Sequence, residues 1–519
     1  MRILLDVCII LDLLLSGRGY QETASKALIR LTQNNYQLLF PASSIDTVIF
    51  ILGRIFKSEK ESISKLKVIL KEYEIHVLSS TGNEFLNIDG TQNSLICNSA
   101  KRFGPDTRIL TRDLTFDGQG VKIMNYQDVP QLTAETQSIP ILDLSREYHL
   151  MMEEVDEALL SVAASSQFIM GAQVSEFEDQ CAEYIASSHA IGTSSGTDAL
   201  VLALRALAIQ KKEAEFFAST DLVITTPFTF AATGDSILRA GATPIFVDIE
   251  PDGFNIDTIN LQRLIDKKVI DPNQVVGILP VHLFGNPCQL DNILNLANKY
   301  NWFVVEDVAQ AFGATWKEQK LGSIGTIGTF SFFPTKNLGG FGDGGLVCTD
   351  DDNLAELVRM LLRHGGKDKY NVDHIGYNAR LDTLQAAVLQ VRLKYIDSFN
   401  HKRKQIAQAY DHSLSECPAI VTPKRQTDGY DVVHQYTIRI NNSARDDLQK
   451  YLSKIGISSA VYYPMPLHKM GVFDQRSEVG GELKNAEKAS GEVLSLPIEP
   501  LMTKNEIDQV TTGIKDFLT

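Results

Sequence analysis

The feature that most restricts the fold of this chain is an alternation of short apolar runs with helical stretches between residues 190 and 333. Such runs are typical of buried parallel strands, and the segments between them repeat their apolar residues at helical spacing. Because parallel strands are joined by crossovers, the alternation predicts a large doubly wound α/β domain. Gly345–Thr349 is expected to add an antiparallel strand. The expected parallel strands are residues 190–193, 222–225, 244–248, 275–280, 302–306 and 329–333.

The sequence changes character on both sides of this alternating pattern, and these two changes mark the expected domain limits. Residues 141–400 are expected to form the large domain, and residues 401–519 a small α+β domain that closes one side of a cleft. Residues 127–140 are polar, contain two prolines and lack periodicity, which is typical of a linker. The elements expected in the small domain are a helix at 402–414, a strand at 435–440 and a helix at 446–454.

The first 126 residues have a pattern of their own. Short apolar runs again alternate with segments of helical periodicity, which predicts a small parallel α/β domain. The expected strands are residues 2–6, 37–40, 75–78, 108–111 and 121–124. The expected helices are residues 23–31, 44–56 and 59–73.

Composition excludes several classes of protein. A net charge of -15 argues against a broad nucleic-acid or membrane-surface footprint, so RNA and membranes are not expected partners. The six cysteines are scattered without a C-x-x-C pair, which indicates reduced thiols and neither a disulfide framework nor a zinc site. Asp6 interrupts the apolar region that a signal peptide would need, and no long uncharged apolar run follows. We therefore expect a soluble, cytoplasmic protein.

One lysine has unusual surroundings. Lys336 lies among aromatic residues, small residues and glycines at positions 330–340 (FSFFPTKNLGG). Apolar surroundings disfavour the ammonium form, so such a lysine can be neutral and nucleophilic near neutral pH. A Schiff base with an aldehyde cofactor requires such an amine. For this stretch taken alone, a solvated lysine in a surface turn is the alternative.

Two stretches upstream supply complementary chemistry. The apolar run at 302–307 ends in Glu306 and Asp307, and an aspartate at this end of a strand can hold a pyridine nitrogen protonated. The small-residue turn at 192–200 leads into an apolar helix, whose first N–H groups suit a phosphate. A phosphate cradle, a ring acid and a lysine, in that order, describe a pyridoxal-phosphate site.

Residues from about 139 to 519 resemble the DegT-type sugar-nucleotide aminotransferases. The resemblance implies a pyridoxal-phosphate enzyme of fold type I, with a large doubly wound domain, a small C-terminal domain and bound pyridoxal 5'-phosphate. It rests on seven motifs in the same order. These are residues 171–177 (GAQVSEF), 194–200 (SSGTDAL), 225–232 (TTPFTFAA), 306–310 (EDVAQ), the lysine stretch, 378–387 (NARLDTLQAA) and 463–468 (YPMPLH).

The resemblance assigns roles around the cofactor. Lys336 is the Schiff-base residue and the base that moves the proton, and Asp307 pairs with the pyridinium nitrogen. Gln310 is expected beside the ring hydroxyl, with an ordinary helix-start residue as the alternative. Phe228 is expected to stack on the ring, with a core aromatic as the alternative. The expected phosphate ligands are Gly196, Thr197 and Ser331.

Other assignments concern the substrate and assembly. Asn378 matches a residue that reaches the phosphate from the neighbouring subunit, which implies a homodimer with two shared sites. Arg380 could clamp a carboxylate of the amino donor or of a uronic acid, and a structural salt bridge is the alternative. His468 is a candidate for the sugar site, although a lone histidine is more often structural.

The first 125 residues resemble a PIN domain, the fold of many toxin-type ribonucleases. Asp6, Asp46 and Asp113 fall near expected strand ends, where carboxylates can bind Mg²⁺ or Mn²⁺. Cys8 stands where a polar residue is common. Residues 89–93 offer the amides Gln92 and Asn93 where a further acid would open a helix. Fewer carboxylates hold a divalent ion less well, so we expect a partly degenerate module without nuclease activity.

The combined motifs predict an aminotransferase that converts a nucleotide-linked keto-sugar to an amino-sugar, with glutamate as donor. Residues 363–365 and 378–382 favour a 3-keto-sugar. Lys336 argues against the dehydratase branch of the family, where histidine replaces this lysine. The alternatives from other classes are a metal-dependent ribonuclease with a regulatory C-terminal part, and a catalytically silent sensor or scaffold.

Overall fold

The chain forms two compact units, Met1–Ser138 and Ile139–Thr519. The finer bounds expected above, including the linker and the division at residue 400, remain a prediction. Residues 127–137 of that linker lie outside the described part. The structure is a computed structural model that describes residues 2–15, 20–33, 36–41, 44–56, 58–73, 75–78, 107–111, 122–124, 138–368, 370–440 and 444–518.

The first unit is built on a five-stranded parallel sheet. Its strands are β1 (Arg2–Leu5), β2 (Gln37–Pro41), β3 (His76–Leu78), β4 (Thr107–Leu110) and β5 (Lys122–Met124). They lie in the order β3-β2-β1-β4-β5, and every pairing is parallel. The described helices are α1 (Val7–Leu14), α2 (Gln21–Gln33), α3 (Ile45–Phe56) and α4 (Glu59–Glu72). This is the small parallel α/β architecture expected from the alternation, whereas the resemblance to a PIN domain stays a prediction.

Helix α1 was not expected from the sequence. It follows β1 after a single residue, Asp6, and most of its side chains are buried. A helix that is apolar on nearly all sides shows no helical spacing of apolar residues in its sequence. In the sequence the strand and the helix therefore form one continuous apolar run.

The second unit is organised around an eight-stranded sheet. In spatial order its strands are β18 (Glu478–Val479), β8 (Thr243–Phe246), β7 (Leu222–Thr225), β9 (Val275–Ile278), β10 (Phe303–Asp307), β13 (Ile327–Ser331), β14 (Gly345–Thr349) and β6 (His189–Thr193). Strand β14 runs antiparallel to both neighbours, as expected. The other described pairings are parallel.

Both faces of this sheet are covered. Val304 packs into one hydrophobic cluster, whereas Phe303 and Val305 pack into another. Since successive strand residues point to opposite faces, one cluster lies on each side, which makes the domain doubly wound. The helices before residue 395 are α5 (Leu144–Ser165), α6 (Ala172–Ile185), α7 (Gly196–Lys212), α8 (Ala231–Arg239), α9 (Thr258–Asp266), α10 (Leu290–Tyr300), α11 (Asp352–Leu361) and α12 (Thr383–Leu393).

The C-terminal part is an α+β layer with its own core. Its antiparallel sheet has the order β15-β17-β19, formed by β15 (Ile420–Val421), β17 (Tyr436–Ile440) and β19 (Val493–Leu496). The helices are α13 (Ile396–Leu414), α14 (Arg445–Lys454), α15 (Lys484–Glu492) and α16 (Lys504–Leu518). A separate small sheet contains β11 (Thr315–Trp316), β12 (Gln319–Lys320) and β16 (Gly429–Tyr430).

The entry to the second unit is bonded to this C-terminal layer. Ile139 is buried in the C-terminal core, and its N–H donates to the Gly456 carbonyl at 2.8 Å. The Ser458 N–H donates to the Ile139 carbonyl, also at 2.8 Å. The second unit therefore begins by pairing with a segment more than 300 residues later. In the described part of the chain, no helix is both long and apolar enough to cross a membrane.

Candidate active site

The turn after β6 carries two of the three residues predicted to bind the phosphate, Gly196 and Thr197. The Ser195 side chain caps α7 by accepting the Asp198 N–H at 3.1 Å, and this fixes where the helix begins. Gly196 and Thr197 open the helix and are half-buried, and N–H groups in a first helical turn have no partner within the helix. Ser331, at the end of β13, lies directly against Gly196: a Cβ on that glycine would stand 2.6 Å from the Ser331 Cβ. The structure thus brings all three predicted phosphate ligands together.

The sheet register explains this close approach. Gly345 begins β14 and pairs with Ser331 on one side and Thr193 on the other. A Cβ at Gly345 would stand 2.4 Å from the Ser195 carbonyl oxygen. A glycine is needed here because any side chain would push the turn away from Ser331.

Asp307 ends β10, at the carboxyl edge of the same sheet. Its Oδ2 accepts the Thr233 hydroxyl at 3.0 Å, and its Oδ1 accepts the Ala309 N–H at 3.2 Å. Burial raises the pKa of this carboxyl, while those two bonds and the charge of Lys336 oppose the rise. A protonated ring nitrogen beside Asp307 would oppose it further, which favours an ion pair at this position.

A buried hydrogen-bonded pair, Glu306 with His282, supports Asp307 from the neighbouring position. The Glu306 carboxylate accepts His282 Nε2–H at 3.2 Å and the N–H groups of Gly322, Ile324 and Gly325. Burial disfavours its ionisation, yet these bonds hold the pKa of Glu306 below its usual value. His282 also donates its backbone N–H to the Asp307 carbonyl. His282 could not be singled out from the sequence, since a lone histidine after an apolar run carries no signal.

Lys336 lies in the turn between β13 and β14. Burial lowers the pKa of this amine to about 8, and the Asp307 carboxylate opposes the lowering. The side chain still keeps partial contact with solvent, as expected for a group that lines a cleft. Lys336 is therefore close enough to Asp307 for their charges to interact, and it has the lowered pKa predicted from its apolar surroundings.

Gln310 is held in place by two partners. Its side-chain oxygen accepts the Phe284 N–H at 2.7 Å, and its amide donates to the Tyr463 hydroxyl at 3.0 Å. The second amide hydrogen of Gln310 is left to be donated to the ring hydroxyl of a cofactor. This role of Gln310 stays a prediction. Tyr463, from the YPMPLH motif, is a site residue that the sequence analysis did not single out.

The structure does not support Phe228 as the stacking ring. Phe228 is completely buried and packs on Phe254, Phe284 and Tyr463, which leaves no face for a cofactor. It is the core aromatic that the analysis gave as its alternative. Phe230, two residues later, is 59% exposed, with its ring 6.4 Å from that of Tyr463. Residues two apart in a regular extended segment point to the same side, but the backbone bends at residues 227–229 and separates the two rings, so sequence alone could not show which one is exposed.

The remaining candidates, Asn378 and Arg380, lie on a segment that contacts the end of β6 and the turn after it. Asn378 is exposed, beside Ala379, whose carbonyl accepts the Ser194 N–H. Arg380 lines a separate cleft with Glu178, Arg359 and other residues outside the predicted cofactor set. A role for Asn378 or Arg380 in a neighbouring subunit remains a prediction.

His468 has a structural partner. Its Nε2 lies 3.0 Å from the Glu487 carboxylate, and the N–H of the preceding Leu467 donates to the Pro227 carbonyl. These contacts attach the YPMPLH segment to the loop after β7. They fit the structural alternative for His468.

The acids of the first unit do not form a metal site in the described residues. Asp6 Oδ2 accepts the Thr111 hydroxyl at 2.7 Å and the Cys8 thiol at 2.9 Å. The side chain of Asp46 and all of Asp113, Gln92 and Asn93 lie outside the described part. Among the described side chains, no group of three or more His, Cys, Asp or Glu residues is placed to hold a metal ion.

The pKa of Lys336 can be tested directly. In cofactor-free protein, competitive acetylation of Lys336 should rise with pH and level off above about 8, since only the neutral amine reacts. Asp307→Asn should move this midpoint lower, because the carboxylate that stabilises the ammonium is lost. Mass spectrometry of labelled peptides gives both values. Exposed Lys317, whose pKa is raised by Asp291, is the internal control; a Lys336 midpoint at or above that of Lys317 would contradict the proposed environment.

The residues present fit pyridoxal phosphate. A cradle of N–H and hydroxyl groups, a buried acid at a strand end and an amine of lowered pKa occur at one edge of one sheet. This arrangement matches the needs of the phosphate, the ring nitrogen and the aldehyde. The fit comes from the chemistry of this chain's own residues.

Comparisons with known proteins identify the family of this chain. The chain is 42% identical over 382 residues to the pleiotropic regulatory protein of Geobacillus stearothermophilus, which covers 73% of this chain and 98% of the relative. It is 37% identical to dTDP-3-amino-3,4,6-trideoxy-alpha-D-glucose transaminase of Streptomyces venezuelae, over 74% of this chain and 97% of that protein. The crystal structure of S. venezuelae DesV matches with a TM-score of 0.68 at 36% identity, over 74% and 99% of the two chains. The family model matches residues 150–515, so the chain belongs to the DegT/DnrJ/EryC1/StrS aminotransferase family, whose members depend on pyridoxal phosphate.

Proposed function

We propose that this aminotransferase moves an amino group from glutamate to the keto carbon of a nucleotide-linked 3-keto-sugar. The observation that carries the proposal is the placement of buried Asp307 at the end of β10, beside the strand that ends at Ser331 against Gly196 and leads into the turn with Lys336. The lowered pKa of Lys336 agrees with this placement. A non-catalytic member of the family would have no need to keep an amine of lowered pKa in this position.

Each residue has a distinct part in the reaction. When bound, pyridoxal phosphate draws electrons away from the carbon that carries the amino group and makes its proton acidic. Asp307 holds positive charge at the ring nitrogen, and Gly196, Thr197 and Ser331 bind the phosphate. Lys336 first holds the cofactor and then, as a free amine, takes and returns the proton. Phe230, with its exposed ring, is the candidate for the ring face.

The names of the relatives support carbon 3 of the sugar as the position of the keto group. The S. venezuelae protein is named as a transaminase of a 3-amino sugar. Residues 363–365 and 378–382 of this chain have the pattern that favours 3-keto-sugars. Glutamate as donor follows the family's usual chemistry.

Two rival functions make different demands on the site. The G. stearothermophilus relative is named for a regulatory role, which would fit a sensor or scaffold. Such a role needs no lysine of lowered pKa. The dehydratase branch needs a histidine where this chain has Lys336.

A substrate screen tests the proposed reaction. Nucleotide-linked 3-keto- and 4-keto-sugars are incubated with the protein and ¹⁵N-glutamate, and mass spectrometry follows the label into the sugar. We expect label in a 3-amino product and none with Lys336→Ala, while the exposed Lys317→Ala variant should behave as wild type. Borohydride reduction should attach the cofactor to Lys336. No labelled sugar, or attachment at another lysine, would reject the assignment.

We further propose that the active species is a homodimer with shared sites. Asn378 is exposed, as a residue that reaches into a neighbouring subunit must be in a single chain. Mixed Lys336→Ala and Asn378→Ala subunits should regain activity, because a hybrid dimer contains one site with both residues intact. Turnover is measured after the two variants are mixed, unfolded and refolded together. A fully active monomer in sedimentation would refute shared sites.

For the first unit we propose a PIN-like module without nuclease activity. The Thr111 hydroxyl and the Cys8 thiol already occupy Oδ2 of Asp6, which leaves this carboxylate less available to a cation. The full chain should not cleave RNA in Mn²⁺, and a chain that begins at Ser138 should still transaminate. Cleavage by the full chain that is lost in Asp6→Asn would instead establish a bifunctional protein.

A further inference from the structure

Arg205 lies in the middle of α7, and its side chain is completely buried. Its Nε donates to the Glu215 carbonyl at 2.5 Å, and Nη2 donates to the Glu215 carboxylate at 2.9 Å. Nη1 donates to the Tyr377 hydroxyl at 2.7 Å, and Nη2 also donates to the Ile375 carbonyl at 3.0 Å. The centre of the Phe216 ring lies 3.7 Å from the guanidinium carbon. Apart from its bonds to Glu215, this buried cation therefore donates to two residues of one short segment.

Glu215 binds the same segment, residues 374–377, which we call the anchored segment. Its Oε1 lies 2.7 Å from His374 Nδ1, and its Oε2 accepts the Ile375 N–H at 3.1 Å. Both backbone polar groups of Ile375 are therefore bound by Arg205 and Glu215. The Ile375 side chain is 61% exposed, so packing contributes little to its placement. At this residue the course of the backbone is set by hydrogen bonds to charged groups, which are stronger than bonds between neutral groups.

The anchored segment leads directly to Asn378. At the end of the segment, the Tyr377 N–H donates to the Leu361 carbonyl at 2.7 Å, where α11 ends. Asn378 follows and is exposed. The carbonyl of the next residue, Ala379, accepts the Ser194 N–H at 3.0 Å. Asn378 therefore lies at an exposed position between two points at which the backbone is held.

Helix α7 connects the position of Asn378 to the phosphate-binding turn of its own subunit. Gly196 and Thr197, two of the predicted phosphate ligands, begin the helix, and Arg205 lies on its later turns. Because the turns of a helix keep a constant rise, the distance from this turn to Arg205 is fixed. Asn378 is predicted to reach the phosphate in a neighbouring subunit, so the same helix would support both sites of a homodimer with shared sites.

We propose that Arg205 is a positioning residue: together with Glu215 it holds the anchored segment so that Asn378 meets the cofactor phosphate of the neighbouring subunit. The inference rests on the proposed function, and in particular on the shared sites. Because Arg205 is completely buried, it acts on that site through the anchored segment and does not touch the cofactor. A lysine could carry the charge, but it lacks the planar set of donors that reaches Glu215, Ile375 and Tyr377 at once.

Two mild variants test the effect on the cofactor. Tyr377→Phe removes the hydroxyl that accepts Nη1 of Arg205, and Glu215→Gln removes the negative charge beside it. The Kd of pyridoxal phosphate, measured by spectrophotometric titration of cofactor-free protein, should rise by about tenfold in each, because the anchored segment can then move. Glu356→Gln should leave the Kd unchanged, since it breaks only an exposed pair with Lys367, shortly before the anchored segment. An unchanged Kd in both test variants would overturn the positioning role.

Mixed dimers show which subunit's site Arg205 supports. Arg205→Lys is unfolded and refolded together with a second variant, and turnover is measured at limiting pyridoxal phosphate. Mixed with Lys336→Ala, it should regain activity, because one site of the hybrid has an intact lysine and a correctly placed Asn378. Mixed with Asn378→Ala, it should stay at low activity, because neither site of the hybrid has both. The reverse pattern, or wild-type activity of Arg205→Lys alone, would overturn the proposal.

The mixture of Lys336→Ala with Asn378→Ala is the reference. Recovery in the reference together with the reverse pattern for Arg205 would reject only the positioning role. No recovery in the reference would reject the shared sites, and the positioning role with them. The expected cofactor affinities without any sugar amination would leave the role of Arg205 intact and reject the proposed reaction. Glu215→Gln is mixed in the same way, so that the outcome does not depend on whether Arg205→Lys folds.

Discussion

The structure of this site depends on keeping two opposite charges largely out of water at the end of one sheet. Neither Asp307 nor Lys336 would favour its charged form in such a place alone. The charge of Lys336 opposes the effect of burial on the pKa of Asp307, and the charge of Asp307 opposes it on the pKa of Lys336. The hydroxyl of Thr233 and the N–H of Ala309 share in this compensation for the acid. A bound cofactor would place a positively charged ring nitrogen beside Asp307 and would be bonded to the Lys336 amine.

A second buried pair, Glu306 with His282, gives this arrangement a rigid base. Glu306 is adjacent to Asp307 on β10, so its side chain points to the opposite face of the sheet. There it holds the turn at 322–325 through three backbone N–H groups. The strand that ends in the ring acid is therefore fixed by polar contacts on both faces. This rigidity matters because a displaced acid would no longer meet the ring nitrogen.

Much of the fold and of the candidate site could be predicted from the sequence, because the features that form them are local in the chain. The strands of the large sheet are short, apolar and separated by periodic segments, and the three cofactor-binding features lie on segments that are local in sequence. The residues that were missed work through side-chain direction or distant contacts. Phe228 and Phe230 are only two residues apart, and the bent backbone at residues 227–229 decides which of the two rings is exposed. Tyr463 reaches Gln310 from 153 residues away.

The hydrogen bond between Ile139 and Gly456 affects the order in which the two units can fold during synthesis. The described sheet of the first unit is complete once residue 124 has been synthesised, so this unit can fold as soon as it leaves the ribosome. The second unit must wait, because the partner of its first paired residue is made more than 300 residues later. Until then the apolar strands of the large sheet lack their C-terminal covering. A nascent chain of this length has a long interval in which chaperones have exposed surface to bind.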